Sequence, residues 1–303
     1  MTEIMPAIEI SKLSKRYGSV NSLAVNKLTL RVMPGEVYGF LGPNGAGKST
    51  AIRLLMNFIQ PTAGHAEILG KDLVTDSVAI KREVGYLSGE LALYPKMTGR
   101  QFLDYMADLQ SSKSSMPINE LAKRFQANLN VRLRDLSKGN RQKIGLIQAF
   151  MHQPQVLILD EPTSGLDPLM QEEFFKLLKE TTQRGGCVFV SSHNLAEVQR
   201  MCDRVGFIRE GELITEQSIV EIAAVAARTF DITFAGPPPR AQLAAIKGAK
   251  VRTIGAHQLS VSLRGDLSPL FKVLAAHKVA GINQQELNLE EEFLHFYRKA
   301  GKT

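Results

Sequence analysis

Between the apolar run Val37 to Leu41 and the helix-patterned stretch Ser49 to Ile59 stands Gly42-Pro43-Asn44-Gly45-Ala46-Gly47-Lys48-Ser49-Thr50. A buried strand that passes through a glycine-rich loop straight into a helix confines the chain to an α/β fold around a largely parallel sheet. Glycines let backbone N–H groups turn inward, and the helix adds the positive end of its dipole at the same place. Such a loop closes around phosphate oxygens. Gly42, Pro43, Asn44, Gly45, Ala46, Gly47 and Thr50 form the cradle; Lys48 reaches the β- and γ-phosphates as a point charge, and the Ser49 hydroxyl is a ligand for Mg²⁺.

A phosphate loop of this kind needs a carboxylate at the metal, delivered by the end of a neighbouring buried strand. Val156-Leu157-Ile158-Leu159-Asp160 supplies one, and Glu161 follows directly. Asp160 is expected in the Mg²⁺ shell, and Glu161 is expected to orient or deprotonate the attacking water. His193, after the run Val188 to Ser192, ends a third strand of the same type and is expected at the γ-phosphate.

The alternation of β-rich and helical runs extends from Ala7 to about Thr215, with strands expected at Ile8 to Leu13, Ala24 to Val32, Val37 to Leu41, Val84 to Leu87, Val156 to Leu159, Val188 to Ser191 and Val205 to Ile208. Helices are expected at Ser49 to Ile59, Leu169 to Thr182 and Leu195 to Met201, and a helical insertion at 98–151, broken by the polar run Ser111 to Ser115. Beyond it the texture changes. A linker is expected over 217–228, then a small α+β domain over 229–303 reading βαββαβ plus a last helix, Glu290 to Lys299, the split-βαβ ferredoxin-like order.

With 303 residues, 44% hydrophobic and 22% charged, the chain matches an ordinary globular protein rather than a disordered or collagenous one. No stretch approaches the ~20 apolar residues of a membrane span, and Met1 to Ile10 lacks the pattern of a secretory signal, so a cytosolic compartment is expected. A net charge of +7 fits an anionic ligand, a nucleic acid or the inner face of a membrane without separating them. Cys187 and Cys202 have no metal-like spacing and read as reduced, structural residues.

Over Ala7 to about Glu216 these motifs, in this order, resemble those of the ATP-binding cassette ATPases, the motor subunits of ABC transporters. The resemblance implies a RecA-like core with an antiparallel β subdomain and a helical insertion, over residues 1–216. It implies that Tyr17 stacks on adenine, and that Leu136-Ser137-Lys138-Gly139-Asn140 stands for the family signature, with Ser137 and Gly139 touching the γ-phosphate held by an opposite subunit. Ser164-Gly165-Leu166-Asp167 looks like the loop that crosses the dimer interface, which adds Asp167 to the nucleotide-binding set. Where the family has a glutamine reporting the metal, this chain has Gly89 and Glu90, and Glu90 is the candidate ligand.

The same resemblance implies ATP and Mg²⁺ as cofactors, a homodimer or cassette heterodimer closed by ATP, and transmembrane permease subunits contacted through the insertion, with the chain peripheral on the inner face of the cell membrane. The C-terminal domain is similar to that of ABC-2 type exporters, and no nucleic-acid partner is expected. Two rivals are a soluble cassette ATPase acting on ribosomes or DNA and a weakly hydrolysing regulatory cassette. Against the first, the chain has one cassette and no sustained heptads between the phosphate loop and the signature.

Overall fold

A computed structural model describes residues 5–18, 23–91, 93–110, 117–225 and 228–285. The expected helix Glu290 to Lys299 and the run Ser111 to Ser115 lie outside them. The chain divides into two compact units, Met1–Gln217 and Ser218–Thr303.

The first unit runs β1 (Ile8–Arg16), β2 (Leu23–Val32), β3 (Val37–Leu41), α1 (Lys48–Leu55), β4 (Ala63–Ile68), β5 (Lys71–Asp72), α2 (Ser77–Glu83) and β6 (Val84–Leu87). It continues with α3 (Gly99–Gln110), α4 (Ile118–Arg124), α5 (Lys138–Phe150), β7 (Val156–Asp160), α6 (Pro168–Gln183), β8 (Cys187–Ser192), α7 (Leu195–Met201), β9 (Arg204–Arg209) and β10 (Glu212–Ser218). Every residue of β3, β7 and β8 is buried, as continuous apolar strands covered on both faces must be. Their sheet has the order β10-β9-β3-β8-β7-β6, and β9, β3, β8, β7 and β6 are parallel. Leu41 pairs with Ser192 and Asp160 with Ser191, so the carboxyl ends of the central strands open at one edge, where ligands of such sheets bind.

A second, antiparallel sheet, β2-β1-β4-β5, turns Ile8, Ile10, Leu28 and Leu30 into the same core as Tyr38, Phe40, Ile52 and Phe189. Each such side chain contributes about 1.5–3 kcal/mol by leaving water. At the other end of the parallel sheet the buried Tyr38 hydroxyl donates to Glu216 Oε1 at 2.8 Å, and Arg204 lies over the Tyr38 ring while pairing with Glu36. Burial, then the Glu216 carboxylate, pushes the Tyr38 phenol far above its usual range. Gly206 is required there, because a Cβ on it would lie 2.1 Å from the Tyr38 oxygen.

The insertion is helical, as expected: α3, α4 and α5 bury Phe102, Leu103, Leu121, Ile144 and Ile147. Arg124 at the end of α4 ties it to α6, bonding Glu173 and holding Glu180 at 2.6 and 2.8 Å.

Several elements depart from the sequence reading. β4, β5, α2 and β10 were not anticipated, because their short, half-exposed runs carry little apolar periodicity. α1 stops at Leu55 rather than Ile59, with Asn57 in a left-handed conformation that no helix continues through. The stretch expected as a linker contains α8 (Ile219–Val225), whose first turn is fixed reciprocally: Glu221 N–H donates to Ser218 Oγ and Ser218 N–H to Glu221 Oε2, each at 3.4 Å.

The second unit continues with β11 (Arg228–Phe234), α9 (Arg240–Ala244), β12 (Lys250–Gly255), β13 (Gln258–Leu263), α10 (Ser268–Ala275) and β14 (Val279–Gln284). The sheet order is β12-β13-β11-β14 with antiparallel pairing throughout, the ferredoxin-like arrangement expected from the βαββαβ order. Phe230, Ile232, Phe234, Leu259, Val261 and Leu263 meet Leu243, Leu270 and Leu274 in a core of its own.

Candidate nucleotide site

The loop between β3 and α1 turns in the space that its glycines leave. Gly47 has φ 108°, and a Cβ there would lie 2.4 Å from the Ala24 carbonyl. Gly42 N–H donates to Ser192 O at 3.3 Å, which anchors the loop to the end of β8. Pro43, Asn44, Gly45 and Ser49 are exposed, Ala46 is buried and Thr50 is half-buried.

Lys48 is 6% exposed, and its ammonium donates to Gly42 O at 2.7 Å and Pro43 O at 3.2 Å. A buried ammonium needs a counter-charge. Glu161 Oε1 provides it at 3.5 Å, while Glu161 Oε2 meets His193 Nδ1 at 2.7 Å. Asp160, at the end of β7, is buried and accepts from the Ser191 hydroxyl at 2.5 Å. A Cβ on Gly89 would lie 3.1 Å from Asp160 Oδ2, so the loop after β6 closes onto this carboxylate.

These groups border one cleft of about 270 Å³, lined by Asn44, Ser49, Glu90, Asp160, Glu161 and His193, with Arg53, Tyr86, Ser88, Gly89 and Ser164. Of the residues expected at phosphate, metal and water, Asn44, Ser49, Glu90, Asp160, Glu161 and His193 line this cleft; Lys48 meets it through Glu161, and Gly42, Pro43, Gly45, Ala46, Gly47 and Thr50 are not among the lining residues. Tyr17, Ser137, Gly139 and Asp167 are not among the lining residues. Tyr17 is exposed just past β1, with the Lys15 ammonium 5.5 Å from its ring centre. Ser137 caps α5 by accepting from Asn140 N–H at 3.3 Å, and Asp167 caps α6 by accepting from Met170 N–H at 3.1 Å. A Cβ on Gly139 would lie 2.3 Å from the Gly165 carbonyl, and Lys138 Nζ donates to Ser164 Oγ at 3.0 Å, so the signature loop packs on the loop after Glu161.

Three supporting side chains escaped the sequence reading. Ser191 serves both acids, donating to Asp160 and accepting from Glu161 N–H at 3.1 Å. Glu197 on α7 receives the Thr163 hydroxyl at 2.5 Å and that of Ser192 at 3.4 Å. Gln142 on α5 donates to the Pro162 carbonyl at 2.9 Å and to that of Glu161 at 3.3 Å. The pairing register of β7 and β8 could have pointed to Ser191; no local signal marks the other two.

A phosphate cradle at the carboxyl edge of a parallel sheet, with an acid pair on the adjacent strand, defines a P-loop nucleotide-binding protein. The family model described as ABC transporter matches residues 25–164. The bacitracin transport ATP-binding protein BcrA of Bacillus licheniformis is 37% identical over 212 residues, 69% of either chain. The daunorubicin resistance ATP-binding protein DrrA3 of Streptomyces coeruleorubidus is 32% identical over 303 residues, 95% of either chain. A solved ATP-binding subunit of an ABC transporter superposes with a TM-score of 0.66 at 27% identity, over 71% of this chain and 91% of that one. The chain belongs to the ATP-binding proteins of ABC transporters. It is an ATP-binding, ATP-hydrolysing motor subunit of that transport machinery. Among the described residues no helix is long and apolar enough to cross a membrane.

Proposed function

We propose that the chain drives an exporter, closing as a cassette dimer on ATP and reopening after hydrolysis, with work passed through 98–151 to separate permease subunits at the inner face of the membrane. The observation that carries the reading is that Asp160, Glu161 and His193 line one cleft with Asn44 and Ser49, and that Glu161 is paired there with the Lys48 ammonium. The direction of transport is supported by the names of the relatives, bacitracin transport and daunorubicin resistance, the second alike over 95% of either chain.

The loop 42–50 binds the phosphates, and Lys48 exchanges its carbonyl and Glu161 partners for phosphate oxygens as ATP enters. Ser49 and Asp160 offer hard oxygen ligands on the same cleft, the donor type that Mg²⁺ takes, and Glu90 stands at its rim. Mg²⁺ would neutralise charge on the β- and γ-phosphate oxygens. Glu161, released by Lys48, accepts a proton from the attacking water, and His193 fixes the carboxylate through Oε2 and faces the γ-phosphate. Ser137, Gly139 and Asp167 stand apart from the cleft of their own chain, which supports their use on nucleotide held by a second copy. Tyr17, exposed beside the first sheet, is the adenine contact.

The test is Glu161→Gln. The variant is expected to bind ATP at near-parental affinity, accumulate as a dimer by size exclusion in ATP, and lose turnover by about 10²–10⁴-fold. Parental turnover would overturn the assignment. The same variant, tagged and extracted with detergent in ATP, is expected to co-purify with a polytopic membrane protein; co-purification with ribosomes or DNA instead would overturn the transport reading.

A further inference from the structure

We propose that Gln142 is a positioning residue for hydrolysis: its carboxamide holds the backbone that aims Glu161 and so joins the signature helix to the hydrolytic carboxylate. The proposal rests on the reading of Glu161 given above.

Glu161 takes φ 49°, a left-handed conformation that a residue with a side chain occupies only when its surroundings hold it there. Its amino side is held by β8, where N–H meets Ser191 O at 3.3 Å and Ser191 Oγ at 3.1 Å. Its carbonyl side is held from elsewhere. Gln142 Nε2 lies 3.3 Å from Glu161 O and 2.9 Å from Pro162 O, and the side chain is 3% exposed. One NH₂ group carries two hydrogens, and two carbonyls receive them. Because the backbone at Glu161 is fixed from both sides, its Cα–Cβ bond leaves in one direction, and the side chain lines the cleft from there. A glutamine chosen only to fill space would not place its amide hydrogens on the carbonyls of the hydrolytic residue and of the residue after it.

The element that carries Gln142 supplies the second half of the inference. α5 starts at Lys138, directly after its cap Ser137, and Gln142 lies little more than one turn further on. The same rigid helix therefore has the signature at its tip and Glu161 on its flank. A shift of α5 as Ser137 engages nucleotide would be felt at the Glu161 peptide without an intervening loop, which would make hydrolysis answer to dimer closure.

The experiment uses the full chain with Gln142→Met, which keeps length and volume and removes both donors. The expected result is a kcat lower by about ten- to a hundredfold, as for a small misplacement of a reacting group, with the Kd for a fluorescent ATP analogue within twofold and a melting temperature lowered by only the few degrees that unpaired carbonyls cost. In a Glu161→Gln background, Gln142→Met is expected to produce no further loss in single-turnover hydrolysis. A parental kcat in Gln142→Met, a loss that multiplies with that of Glu161→Gln, or a loss shared equally by Kd and melting temperature would each overturn the proposal. If Glu161→Gln itself turns over at the parental rate, the underlying reading of the site fails instead. Should Gln142→Met not accumulate, Gln142→Asn, which withdraws the amide by one methylene, carries the same comparison.

Discussion

Lys48 Nζ and Glu161 Oε1 stand 3.5 Å apart, so the cation proposed for phosphate and the acid proposed for water are each other's counter-ion. The Lys48 side chain is 6% exposed, and this contact offsets part of the cost of burying its ammonium.

Removing the cation is expected to leave ATP without its buried anchor. Lys48→Ala should weaken ATP binding by about 1.5–3 kcal/mol, the range for hydrogen bonds to charged groups, read as a titration with a fluorescent analogue. Binding within twofold of the parent would remove Lys48 from the site.

Cys187 and Cys202 are both buried and free. Burial pushes the Cys187 thiol up to about 12 and holds the Cys202 thiol well above its usual range, so neither holds thiolate at neutral pH. The folded chain is expected to resist a thiol reagent at pH 8 and to react at both cysteines in denaturant, as measured by mass shift.

Gly206→Ala would press a methyl into the Tyr38 hydroxyl, whose ring is stacked on Phe189 and cannot retreat. The expected effect is overpacking by about 1–3 kcal/mol, seen as a lower urea midpoint. Tyr38→Phe in the same chain should recover part of it by clearing the oxygen.

The Arg124 guanidinium, hydrogen-bonded to Glu180, holds that carboxyl below the ordinary carboxylate range. A pKa lowered on folding means that the contribution is present above the unfolded value, near 4.3, and lost as pH falls through the folded one. Urea midpoints from pH 7 to pH 3 are expected to separate parent from Arg124→Met at neutral pH and to converge in acid.

The sequence carried the parts of this architecture that are written locally. β3 and β6 fall at the expected bounds, because an apolar run flanked by turn residues needs no tertiary information. The phosphate loop and the pair Asp160 and Glu161 were legible for the same reason, as chemistry tied to a strand end. β4 was not, since Ala63, Gly64 and His65 are exposed and only Ala66 and Ile68 face the core. Gln142 and Glu197 were equally silent: each acts on a backbone or hydroxyl group that is distant in sequence, and such pairings exist only once α5 and α7 have packed.

Ser137 receives the Asn140 N–H on an oxygen lone pair, and among the described residues its own proton has no acceptor. In the role proposed for Ser137 at nucleotide held by a second copy, folding and recognition would draw on different halves of one hydroxyl. Aspartate, an equally good cap, would preserve the helix while replacing an offered proton with a negative charge; alanine would forfeit both. The two substitutions therefore separate what this position owes to its own helix from what it lends to a neighbour.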